Sequence, residues 1–90
     1  MLGAQVLDSL IDDRLLDADV AKAAIEFGKV VKTWPDHAEA LNNLGNCYFF
    51  MKEPEKALIY YERALRSDPD NPQAQHNVRM VRKTLGRGGP

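Results

Sequence analysis

The feature that most limits what this chain can fold into is an internal period of 34 residues. Set against itself at that offset, the sequence pairs Ala4 with Ala38, Leu7 with Leu41, Leu10 with Leu44, Lys22 with Lys56, Ala23 with Ala57, Ile25 with Ile59, Pro35 with Pro69 and Asp36 with Asp70, without a gap. A second shift pairs Ala40 with Ala74, Asn43 with Asn77 and Leu44 with Val78. Periods of this size belong to stacked arrays, in which each unit buries its apolar face only against its neighbours. The chain holds two full units, 4–37 and 38–71, and part of a third, 72–86; residues 87–90 read as a flexible tail.

Within a unit the apolar spacing is helical. Leu41, Leu44, Cys47, Tyr48 and Met51 recur at three- and four-residue steps, and Ala57, Leu58, Tyr61, Ala64 and Leu65 repeat the pattern after an interruption at Lys52-Glu53-Pro54. Proline suits a first helical turn, where its missing N–H would be unpaired anyway, and Glu53 stands in the capping position. In the first unit, Asp17-Ala18-Asp19 marks the corresponding break, with an acid as N-cap. Pro35 and Pro69 end the second helix of each unit, and Pro72 opens the last helix. The reading is all-α, an α-α superhelix of about five helices over 4–16, 19–32, 38–51, 54–67 and 72–85. Ala23, Gly45 and Ala57 lie where helices cross, and small side chains there let the axes approach.

Charge is near balance overall, at −1, but not along the chain. Residues 1–27 carry six acids (Asp8, Asp12, Asp13, Asp17, Asp19, Glu26) against two bases, whereas residues 72–90 carry Arg79, Arg82, Lys83 and Arg87 and no acid. The longest apolar run, Cys47 to Met51, is far short of the ~20 residues of a membrane span, and no signal peptide is visible. A membrane role is not expected. One cysteine cannot form an internal disulfide and points to a reducing, cytoplasmic setting.

Leu41, Leu44, Gly45, Tyr48, Ala57, Tyr61, Ala64 and Pro69 resemble the spaced signature of the tetratricopeptide repeat. Asn43-Leu44-Gly45-Asn46 and Asp68-Pro69-Asp70-Asn71 are also similar to the family's common wording. The first unit diverges, with Ile11, Arg14 and Val30 where the family prefers glycine, tyrosine and alanine. Residues 72–86 resemble the polar helix that caps such arrays. The resemblance implies a non-enzymatic protein-binding module, without cofactor, whose concave groove holds a peptide or helix of a partner. It also implies the lining: Gln5, Asp8, Asp12 and Leu15 from the first unit, Glu39, Asn42, Asn46 and Phe49 from the second, and Gln73 and His76 from the cap.

Some members of the family clamp an acidic C-terminal tail with lysine, asparagine and arginine. The matching positions here hold Asp8, Asp12, Asn43, Gln73 and Asn77, of which only Asn43 agrees. Carboxylates at Asp8 and Asp12 repel an acidic tail, so a basic or neutral segment is the favoured protein or peptide partner. Tyr48, Phe49, Phe50, Tyr60 and Tyr61 read mainly as core. Three consecutive helical residues cannot share one face, however, so Phe49 or Phe50 is expected to be partly exposed. Trp34 is expected to pack over the junction between units.

Catalysis finds no footing. Cys47 has no histidine within a turn, and reads as a buried, inert thiol. His37 and His76 lack metal-ligand spacing, and neither serine sits in a nucleophile elbow. Arg79, Arg82 and Lys83 form a basic ridge, but without interleaved aromatics a nucleic-acid partner is not expected. Their contrast with the acidic first unit raises a second reading, a homo-oligomer assembled head to tail through oppositely charged ends.

Overall fold

The computed structural model describes residues 13–86, with side chains from residue 18 onward. The described residues form four helices and no strand: α1 (Asp13–Thr33), α2 (Ala38–Phe50), α3 (Pro54–Ser67) and α4 (Pro72–Thr84). The helices of the second unit and the cap begin where the sequence places them, and α3 matches at both ends. The greater part of the expected 4–16 helix lies outside the described residues.

One expectation is overturned. α1 runs through Asp17-Ala18-Asp19 without interruption, so Asp19 is not an N-cap. The segment holds neither proline nor glycine before Gly28, and an aspartate inside a helix costs only a fraction of what proline does. Once a helix is nucleated, each further residue adds a hydrogen bond, and a weak former alone does not stop it.

The caps of the other helices are local and specific. His37 Nδ1 accepts from the Ala40 N–H at 3.1 Å, and Asn71 Oδ1 accepts from the Ala74 N–H at 2.9 Å. Glu53 occupies the N-cap of α3 but its side chain makes no capping bond there. Instead its carboxylate pairs with Lys56 Nζ at 3.3 Å. α2 ends in a Schellman motif: Lys52 adopts a left-handed φ of 63°, the Lys52 N–H donates to the Phe49 carbonyl at 3.0 Å and the Glu53 N–H to the Tyr48 carbonyl at 2.9 Å.

Successive helices pack against one another, and α4 also touches α2. The contact of α2 with α3 turns on Gly45. A Cβ at that position would lie 2.6 Å from two ring carbons of Tyr61 and 3.2 Å from the Ala57 carbonyl oxygen. Two apolar clusters result. One joins Val31, Ala40, Leu41, Leu44, Ala64 and Ala74; the other joins Ala57, Leu58, Tyr61, Val78 and Val81 across α3 and α4. Leu65 and Tyr48 touch both clusters and link them into one continuous core.

Candidate partner-binding face

Each face of α2 has its own neighbour, and what remains uncovered is narrow. Ala40, Leu41, Leu44 and Cys47 are buried, and Asn42 is only 2% exposed. Glu39 and Phe50 are exposed, with Asn43 and Asn46 half-buried between them. These four residues are separated by four, three and four positions, so at ~100° per residue they fall on one stripe along the helix. Phe50 is 68% exposed, more than any other large apolar residue described. The stripe thus offers a carboxylate at one end, two amides in the middle and an aromatic ring at the other.

Of the residues that the resemblance assigns to the groove, Gln5, Asp8, Asp12 and the side chain of Leu15 lie outside the described residues. Glu39, Gln73 and His76 are exposed. Asn46 is half-buried and its Oδ1 accepts the Tyr61 hydroxyl, which fixes the amide's orientation. Two residues are placed otherwise than the repeat pattern implies. Asn42 is turned onto α4, where its Oδ1 accepts from Asn77 Nδ2 at 3.5 Å, while its own Nδ2 is buried without a partner. Phe49 is half-buried against the cluster of α3 and α4. The arrival of α4 beside α2 covers this flank, and the open face shifts to Asn43 and Phe50. The four-three-four spacing of Glu39, Asn43, Asn46 and Phe50 was the available signal for it.

The aromatic residues divide by depth. Tyr61 is fully buried, and burial, with Cys47 adding to it, pushes its phenol up to about 12. Tyr48 and Tyr60 stack at 5.3 Å with planes 9° apart, Lys56 Nζ lies 5.5 Å from the Tyr48 centroid, and the Arg63 guanidinium lies 5.5 Å from that of Tyr60. Burial raises the Cys47 thiol, which keeps it protonated and unreactive. Trp34, expected to pack over the junction, is 62% exposed.

On α4, Arg79 and Lys83 are exposed, and Arg82 Nη2 is bonded to Glu62 Oε2 at 2.8 Å. Among the described residues no group of histidine, cysteine and acidic side chains could hold a metal ion, and no helix is long and apolar enough to cross a membrane.

The sequence model of the tetratricopeptide repeat matches residues 38–71, which span α2, α3 and the turn after them. The chain is also similar to the Protein CTR9 homolog of Arabidopsis thaliana, 38% identical over 52 residues. That stretch is 58% of this chain and 5% of the plant protein, so the likeness concerns a small part of a much longer relative. Helical hairpin, glycine contact and family match coincide on one stretch: residues 38–71, the α2–α3 hairpin, are similar to a single tetratricopeptide repeat.

Proposed function

We propose that the chain is a non-enzymatic interaction module that holds a peptide or helix of a partner protein against the open stripe of α2. The observation that carries this reading is the exposure of Phe50 at the end of a row of half-buried amides. An exposed aromatic ring beside oriented polar groups is the composition of an interface centre. Asparagine amides present both a donor and an acceptor, which matches the backbone of an extended segment. Glu39 favours a neutral or basic segment over an acidic one. Gln73 and His76 extend the face onto α4, and Phe49 supports it from beneath.

A peptide-display selection against the 90-residue chain tests the proposal. Peptides recovered on the parent should lose binding to an Asn43→Ala/Phe50→Ala variant. Undiminished binding to that variant would place the partner site elsewhere.

Head-to-tail self-association has weaker support. Of the three basic residues assigned to it, Arg82 already serves Glu62 within the same chain, and only Arg79 and Lys83 are left for a contact between copies. Sedimentation at low and high salt separates the readings, since assembly through charged ends should weaken as salt rises.

A further inference from the structure

We propose that the cleft between the α1–α2 turn and the C-terminal end of α3 binds an oxyanion, a carboxylate or phosphate group, carried by a peptide segment with an adjacent apolar residue. It is a second site, separate from the α2 stripe. The cleft encloses about 410 Å³ and is lined by Pro35, Asp36, Arg63, Arg66 and Ser67.

Arg63 and Arg66 stand three residues apart on α3, so both side chains leave the same face of the helix. Arg63 is held in place: its guanidinium lies over the Tyr60 ring at 5.5 Å, and Nη2 donates to the Pro35 carbonyl at 3.4 Å. A guanidinium already fixed loses little further freedom when it binds. Arg66 is exposed and makes no ion pair among the described residues, which leaves its donors available. The Ser67 hydroxyl donates to the Asp36 carbonyl and ties the turn to the end of α3, so the two walls are joined.

Two guanidiniums face one carboxylate, that of Asp36, on a chain whose overall charge is −1. This local excess of positive charge selects an anion. The carbonyl end of α3 disfavours negative charge on the helix axis, which puts the ligand at the guanidinium tips rather than against the backbone. Trp34 directly precedes the cleft-lining Pro35 in the chain and is 62% exposed, so its ring is free for an apolar contact next to that wall. A free ion would make no use of it; a residue flanking an acidic or phosphorylated side chain would.

Trp34 is the chain's sole tryptophan and the neighbour in sequence of the cleft-lining Pro35, so its emission is the readout chosen for binding there. The full chain is titrated with inorganic phosphate, with a short peptide bearing glutamate next to leucine, and with the same peptide bearing phosphoserine. Sodium chloride at matched ionic strength is the control. A saturable change in emission is expected with all three ligands, tighter with a peptide than with phosphate, and weakened ~10-fold or more by Arg66→Gln. Preference between the two peptides identifies the oxyanion as carboxylate or phosphate. Asp36→Asn removes the opposing charge and should tighten binding. Phe50→Ala, on the other face, should leave the response unchanged. Emission that follows ionic strength alone overturns the proposal, as does a saturable response indifferent to Arg66→Gln or weakened by Asp36→Asn.

Discussion

Gly45 shows how one missing side chain sets the distance between two helices. Alanine is the better helix former by ~1 kcal/mol, so propensity alone predicts that Gly45→Ala stabilises the protein. A methyl 2.6 Å from two Tyr61 ring carbons cannot be accommodated without moving a fully buried ring. We expect Gly45→Ala to destabilise by about 1–3 kcal/mol in urea unfolding. Tyr61 also carries a pH dependence. Its phenol, raised from 10 to about 12 chiefly by burial, stays protonated in the folded chain when the unfolded chain has begun to ionise. The folded state then binds more protons, so stability is intact below about pH 10 and falls as pH rises toward about 12. Tyr61→Phe should cost about 1 kcal/mol at neutral pH through loss of the bond to Asn46, and that deficit should shrink on the alkaline side.

At the level of elements, the ends of the helices are better defined than their apolar patterns require. Lys52 holds a left-handed backbone conformation at the Schellman end of α2, a place where a side chain is strained and glycine is not. Lys52→Gly should therefore stabilise by about 0.5–1 kcal/mol, offset in part by the added freedom of the unfolded chain, and raise the urea midpoint. His37 is an unusual cap, its ring nitrogen serving in place of a hydroxyl or carboxylate. His37→Ala should cost about 0.5–2 kcal/mol, and His37→Ser should recover most of it. Nothing in the periodicity pointed to that capping bond, because it depends on ring orientation. The missing break at Asp17–Asp19 has the opposite origin: acids that can cap a helix were present, but nothing there stops one.

Across the whole molecule, α4 divides its surfaces between the preceding helices and solvent. Ala74, Asn77, Val78 and Val81 are buried inward, while Gln73, His76, Arg79 and Lys83 are exposed. At the positions where the repeat has Gly45 and Tyr48, α4 has Arg79 and Arg82, and neither permits the close helix contact seen between α2 and α3. The contact of α4 with α2 explains why Asn42 is buried, whereas Phe50 stays in solvent. An Asn42→Ala change should act on stability at the α2–α4 contact, whereas Phe50→Ala should leave the unfolding midpoint nearly unchanged and reduce peptide binding. Paired unfolding and binding measurements on the two variants check this separation.

The helical class, the repeat at 38–71 and its helix boundaries were legible in the residues, because they follow from short-range spacing, proline and helix propensity. So was the role of Gly45, since only close packing justifies a glycine within such a helix. The identity of the open face was legible only in part. Asn42 and Phe49 sit within 80° of the exposed stripe, and which side of that boundary a residue takes depends on where α4 lands beside α2. The cleft of Arg63 and Arg66 was not legible at all. Its walls are 28 to 31 residues apart in the chain and meet only through the return of α3 toward the α1–α2 turn. Sequence alone thus determined the helices between residues 38 and 84, but not the unbroken run of α1 through Asp17–Asp19. Which side chains stay in water was decided by tertiary packing, because exposure depends on the neighbouring helix and not on the helix that carries the residue.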